Sequence, residues 1–305
     1  MTAPLVSIVT TSFNQAAFLE ETIRSVLAQD YEPVEYLVID DGSDDGSDEI
    51  VRSHAAQLTW FEIGPNRGQP AALNRAFAHA QGELLGFVSS DDTLLPGAVT
   101  RLVREFEREP RPVLAYGGAA YVDEHGRSLG PVPSLPWDLR RFARTGIQPN
   151  PQPASLWSRP AWELAGPFDE GSWALFDTEF FLKAGHAGPV ARVPETLATF
   201  RLHPRSKQLS SQIQMAEDCV RFADRFYRAD NLPPALRSTA RAGRASFYRR
   251  AALNFYSAGE TARARRLFLR SLFLSPRGIT RSQAQRLVRS LVPEGLVRRR
   301  RAGRR

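Results

Sequence analysis

Apolar and polar positions alternate in two different rhythms along the first 110 residues. Leu5 to Thr10 is a short β-branched run, the pattern of a strand buried on both faces. Leu19, Ile23, Val26 and Leu27 then recur at spacings that predict one apolar side of a helix. Tyr36 to Ile39 reads as a second strand, and Ile50-Val51 sits in a helix entered through Gly42-Ser-Asp-Asp-Gly-Ser-Asp48. Leu58 to Ile63 is a third strand, Leu73, Ala76, Phe77 and Ala80 mark a third helix, and Leu84 to Val88 is a fourth strand. Pro96 suits the first turn of a further helix, where its missing N–H costs nothing. Strands that alternate with helices predict an α/β fold with a doubly wound, mostly parallel sheet.

From 113 to 205 the pattern changes to short strands, Val113–Tyr116 and Ala120–Val122, between Pro- and Gly-rich loops. This reads as a mixed-sheet second half of the same domain. Beyond 210 the chain is helical and rich in Arg. There, Ala252, Tyr256, Gly259, Ala264, Phe268, Ser271 and Pro276 resemble the latter part of a tetratricopeptide-like helix pair, although a plain helical hairpin accounts for the same positions. The expected division is a first domain at 1–208, a helical extension at 209–276 and an Arg-rich amphipathic or disordered tail at 277–305.

Composition narrows the class. With 305 residues, 42% hydrophobic and 24% charged, the chain can bury a sizeable core and is neither disordered nor collagen-like. Cys219 is the one cysteine, which excludes a disulfide scaffold within the chain and makes a reducing cytoplasm the simplest setting. No apolar run approaches the ~20 residues that span a bilayer, and Met1-Thr-Ala-Pro-Leu-Val-Ser7 lacks the features of a signal peptide. A soluble or peripheral protein is expected. The net charge of +7 hides a split. Residues 1–200 hold 27 acids and 15 bases, net −12, whereas 201–305 hold 6 acids and 25 bases, net +19.

In a doubly wound sheet, ligands bind at the carboxyl ends of the strands. Strand one ends in Thr10-Thr-Ser-Phe-Asn14, strand two in Asp40-Asp-Gly-Ser43 and strand four in Ser89-Ser-Asp-Asp92. Neither a Gly-x-Gly-x-x-Gly nor a Gly-x4-Gly-Lys-Ser/Thr stretch occurs, so dinucleotide and P-loop sites are unsupported. Paired carboxylates repel an anion unless a cation lies between them, so Asp91 and Asp92 suggest Mg2+ or Mn2+ bridging a diphosphate. An Asp-Asp pair also caps a helix, and Asp-Gly-Ser is also a good turn. The spacing leaves both readings open.

Taken together, the segments Val6-Ser-Ile-Val-Thr-Thr-Ser-Phe-Asn14, Val38-Ile-Asp-Asp-Gly-Ser43, Asn66-Arg-Gly68 with Ala72-Leu-Asn74, and Ser90-Asp-Asp92 resemble the family 2 glycosyltransferases of GT-A fold. The resemblance implies an inverting transferase of the kind that serves bacterial surface glycans. The resemblance continues more loosely through Phe168-Asp-Glu170, Phe176-Asp-Thr-Glu-Phe-Phe-Leu-Lys183 and Phe200-Arg-Leu-His-Pro-Arg-Ser206. It implies a nucleotide-diphosphate sugar as donor and Mg2+ or Mn2+ as cofactor. Thr11 and Phe13 match positions that line the base and ribose, and Asp41 matches the acid that hydrogen-bonds the base. Arg67, Gly68 and Asn74 match the loop and helix start near the ribose and diphosphate. Asp92 matches the last acid of the family's metal motif, which the resemblance makes the chief metal ligand. Ser90 stands where its first acid would be, which leaves Asp91 or the loop to help.

Asp177 matches the acceptor-activating base, with Glu179 as its rival; both also suit an acidic helix N-terminus. His203 matches a loop position that approaches the metal or diphosphate. Trp157 and Trp173 read either as a platform for an acceptor sugar or as packing.

The implied activity is transfer of a sugar to a hydroxyl of a glycan or lipid-linked acceptor. The competing class is a non-catalytic nucleotide-sugar-binding or scaffold protein with a degenerate site, which Ser90 favours. A sugar nucleotidyltransferase would need a Gly-rich basic loop that Thr10–Asn14 does not supply. In the tail, ten Arg against Glu294, with Leu287, Leu291, Val292, Leu296 and Val297, suit an anionic membrane surface at the inner face of the cytoplasmic membrane. Nucleic acid finds no motif there.

Overall fold

The computed structural model describes residues 3–207, 211–228 and 231–276. Its first half alternates as β1 (Val6–Ser12), α1 (Ala16–Leu27), β2 (Val34–Asp40), α2 (Ser47–Ser53), β3 (Trp60–Ile63), α3 (Gln69–His79), β4 (Leu84–Ser89), β5 (Thr93–Leu94) and α4 (Ala98–Glu105). The second half runs β6 (Leu114–Val122), β7 (Ser128–Val132), α5 (Leu139–Thr145), β8 (Ser155–Ser158), α6 (Arg159–Ala165), α7 (Phe176–Ala184) and β9 (Val190–Arg201). Three further helices follow: α8 (Gln212–Arg225), α9 (Ala240–Ser257) and α10 (Thr261–Leu274).

The strands of the described residues form one mixed sheet in the order β3-β2-β1-β4-β8-β6-β9-β5, with β7 on β6. β1 is central and pairs in parallel with β2 and β4, because the crossing helices α1 and α3 return the chain to the same edge. One face of β1 and β2, through Val6, Ile8, Tyr36 and Val38, packs with Leu19, Ile23 and Val26 of α1 and with Val99, Leu102 and Val103 of α4. Beside the other face lies an aromatic cluster in which Trp157 touches Phe77, Phe87, Phe180 and Phe181.

Three expectations need revision. Pro96 lies ahead of α4, whose entry is Gly97 at φ +76°, a conformation that favours glycine. Val113–Tyr116 and Ala120–Val122 are not separate strands. Gly117 and Gly118 lie inside a single β6, at register shifts against β9, where a Cβ on Gly117 would sit 2.5 Å from Leu197 Cδ1. Trp157 is fully buried in the aromatic cluster, so it offers no platform to an acceptor.

The chain divides into two compact units, residues 1–139 with 148–206, and residues 140–147 with 207–305. The second therefore takes in 140–147, a stretch that the sequence expectation kept within 1–208. The physical reason is local packing. Tyr227 Oη donates to Ala143 O, and a Cβ on Gly243 would lie 2.3 Å from that same oxygen. Phe222 stacks on Phe226, with ring centres 4.9 Å apart, and also meets Phe247. In α9 and α10, Ala252, Ala264, Phe268 and Ser271 are fully buried, and Gly259 at φ +84° makes the turn between the two helices. Burial pushes the Cys219 thiol up to about 12. No helix among the described residues is long and apolar enough to cross a membrane. The tail expected to meet a membrane, 277–305, lies outside the described residues.

Candidate active site

The parallel register of β2, β1 and β4 brings Ser12 level with Asp40 and Thr11 level with Ser89. The loops that leave these strands therefore share one edge of the sheet, the edge where ligands enter such folds.

At the end of β2, Asp40 closes its own turn, accepting from Ser43 N–H at 2.9 Å and Ser43 Oγ at 2.6 Å. Gly42, at φ +86°, lets the loop 64–66 come close; a Cβ there would meet Asn66 N at 2.7 Å. Asp41 is 2% exposed and accepts from Arg67 N–H (3.1 Å), Gly68 N–H (2.8 Å) and Arg75 Nη2 (3.1 Å). Arg75 also donates from Nε to Glu62 Oε1 at 3.0 Å. Asp41 thus ties the loop ahead of α3 to the end of β2.

Asn14, the one described non-glycine residue with positive φ (53°), accepts at Oδ1 from Asp44 N–H, and its own N–H donates to Ser43 Oγ. Beside it Phe13 is 46% exposed. Gln69 Nε2 donates to Thr11 Oγ1 (3.3 Å) and Ser89 Oγ (3.2 Å), which ties the ends of β1 and β4 to the start of α3. Asn74 lies further along α3. Its amide donates to Phe168 O and accepts from Phe168 N–H, both at 2.9 Å, and also donates to Glu170 Oε1. In this structure Asn74 pins the 168–170 loop.

At the end of β4 the two acids diverge. Asp91 is half-buried, with Oδ2 3.1 Å from His203 Nε2. Asp92 is 2% exposed, and its Oδ1 accepts the Arg201 N–H at 2.9 Å. Burial, and next the neighbouring Asp91 charge, hold the Asp92 carboxyl well above the usual carboxylate range. Thr22 Oγ1 donates to the carbonyls of Ser90 and Asp92. Arg201, 2% exposed, braces the whole turn by donating to Asp91 O, Asp123 O and Glu21 Oε2. It also lies over the Phe18 ring, which in turn packs on His203.

Among the described residues no three His, Cys, Asp or Glu side chains gather to hold a cation. The Asp91–His203 pair supplies one oxygen and one nitrogen donor. That set fits a divalent cation that takes the rest of its shell from phosphate oxygens and water.

The start of α7 is held near β4 through Phe176, whose ring lies 6.2 Å from Phe87. Gln152 Nε2 donates to Phe87 O at 2.6 Å, which fixes the loop that carries Gln148. Gln148 accepts from Thr178 Oγ1 at 3.0 Å and approaches Asp177 Oδ2 at 3.4 Å. Asp177 is half-buried. Glu179 is buried and pairs with Lys183 at 2.7 Å, one helical turn on. Of the two acids, Asp177 is the more exposed.

The profile of Glycosyl transferase family 2 matches residues 7–152. An uncharacterized glycosyltransferase of Mycobacterium tuberculosis is 32% identical over 185 residues, covering 60% of this chain and 69% of that protein. The chain belongs to glycosyltransferase family 2. Solved structures share this glycosyltransferase's GT-A fold. S. aureus TarS 1-349 in complex with UDP-GlcNAc aligns with a TM-score of 0.62 and 16% identity over 94% of this chain and 79% of that one. The mannosyltransferase PcManGT from Pyrobaculum calidifontis, in complex with GDP-Man and Mn2+, aligns with a TM-score of 0.60 and 19% identity over 95% of this chain and 85% of that one. The glycosyltransferase spans about half (49%) of the longer TarS chain.

Four residues that the sequence reading did not single out as site residues hold this site together: Gln69, Arg75, Gln148 and Arg201. Only Arg201 lay in a quoted motif, and none carries a pattern of its own. Polar residues on inner faces are recognised by their partners, and here those partners are up to 180 positions away.

Proposed function

We propose that this glycosyltransferase moves a sugar from a nucleotide-diphosphate sugar to a hydroxyl of a glycan or lipid-linked acceptor, with inversion at the anomeric carbon. The observation that carries the reading is the contact of Asp91 with His203, 112 residues apart in sequence, at the strand end next to the Asp41 loop. The donors named for TarS and PcManGT, UDP-GlcNAc and GDP-Man with Mn2+, support the same substrate class.

The exposed Phe13 receives the base, and the 66–68 loop, which Asp41 fastens, receives the ribose and diphosphate. Asp91 and His203 hold the cation, with Asp92 behind them. When bound, Mg2+ or Mn2+ offsets charge on the departing diphosphate. The acceptor oxygen attacks the anomeric carbon, the bond from that carbon to the diphosphate oxygen breaks, and Asp177 takes the acceptor's proton. A lipid-linked acceptor suits the basic composition of residues 277–305, ten Arg against one Glu.

A thermal-shift panel of UDP-, GDP- and dTDP-sugars with and without Mn2+ tests the donor class; a selective, metal-dependent rise is expected. Asp177→Asn should keep that rise and lose transfer by roughly 10²–10⁴-fold. Unchanged transfer removes Asp177 from the mechanism. Donor binding with no turnover in the unmodified chain returns the non-catalytic reading that Ser90 favours.

A further inference from the structure

The last described helix, α10, has two apolar sides. One seats Ala264, Phe268 and Ser271, all fully buried, within its own unit. The helical period places Ala262, Arg266, Leu269 and Phe273 on the opposite side. Leu269 is 49% exposed and Phe273 82%, the highest exposure of any large apolar side chain among the described residues. Isolated exposed apolar residues are ordinary. Here two lie one turn apart on the same stripe, and the stripe is edged with positive charge.

Arg263 and Arg270 stand at one edge and turn toward their own unit. Arg263 pairs with Glu217 at 2.8 Å and lies over Phe255. Arg270 pairs with Asp224 at 3.6 Å and lies 4.6 Å from the centre of the Tyr248 ring. Arg265 stands at the other edge, Arg266 lies within the stripe, and residues 277–305 add ten Arg against one Glu.

We propose that this face of α10 docks on an anionic lipid bilayer. Phe273 and Leu269 enter the boundary between headgroups and acyl chains, and Arg265 and Arg266 meet lipid phosphates. Charge selects this occupant. A second copy of the face, or the Arg-rich segment that follows it, would set arginine against arginine. The surface belongs wholly to the second unit and goes beyond the donor-site reading, so each can fail without the other.

The test is cosedimentation of the full chain with phosphatidylglycerol vesicles and with phosphatidylcholine vesicles. Binding is expected to the former only, and to weaken as salt rises. The double variant Leu269→Ser/Phe273→Ser should bind about tenfold more weakly, with an unchanged circular dichroism spectrum and an unchanged thermal shift by the nucleotide sugar. Phe273→Trp should gain blue-shifted emission on phosphatidylglycerol vesicles. Undiminished binding by the double variant, or no blue shift in the tryptophan variant, overturns the proposal. So does a wild-type dimer that the double variant dissociates without any vesicle binding.

Discussion

The strands on either side of β1 each end in an Asp-Asp pair, and the two pairs are put to opposite uses. At the end of β2, Asp40 closes its own turn and Asp41 is surrounded by donors, two backbone N–H groups and the Arg75 guanidinium. At the end of β4, Asp91 turns to a histidine, while Asp92 is buried with one backbone N–H and its carboxyl pushed up. The first pair is satisfied by the protein itself and serves as a fastener. The second is under-compensated, and a cation beside it would relieve that imbalance. The same dipeptide thus has its role set by what the neighbouring loops bring to it.

Substitutions can break this contrast. Asp41→Asn should produce the largest loss of stability, about 2–4 kcal/mol, because its amide would face donors and leave Arg75 with Glu62 alone. Equilibrium unfolding measures this; a loss below about 1 kcal/mol would mean that Asp41 does not fasten the loop. Asp92→Asn should behave in the opposite way. The folded carboxyl holds its proton more tightly than the unfolded one, so stability falls as pH rises from the ordinary carboxylate range toward the raised value. The asparagine variant escapes that fall. In metal-free buffer it should match the wild type at pH 4 and melt a few degrees higher at pH 7.

Asp91→Ala should change metal-free stability by less than about 1 kcal/mol, since its pair is partly exposed. It should nevertheless abolish the Mn2+-dependent part of the donor-induced thermal shift. A full Mn2+ response in that variant would transfer the cation to other ligands. The smallest effect is at Cys219. Its buried thiol, up to about 12, should resist iodoacetamide at pH 8 in the native chain and react at once in denaturant.

Much of this frame was legible in the sequence. β1, β2 and β4 read clearly because strands buried on both faces demand near-continuous apolar runs. The loops after them were legible because Asp, Gly, Ser and Asn have few competing uses at strand ends. β6 was misread because Gly117-Gly118 looks like a break, and only the approach of Leu197 explains the glycines. Trp157 was open to two readings because an indole fits a sugar platform and a core equally well. The resemblance makes Asp92 the chief cation ligand with Asp91 helping, whereas the structure buries Asp92 and sets Asp91 against His203. Adjacent residues point in different directions, and which one meets His203 depends on where Arg201 anchors β9.

The excursion of residues 140–147 has a consequence for how the protein is made. This short segment leaves the ribosome long before Tyr227, Gly243 and Phe247, against which it is packed. The buried Phe142 and Ala143 must therefore wait through the synthesis of the rest of the sheet before their helical partners exist. The two units are interleaved in time as well as in sequence. A chain stopped after Ser206 would not be a finished enzyme lacking an accessory, but one carrying an unmet apolar segment through its middle.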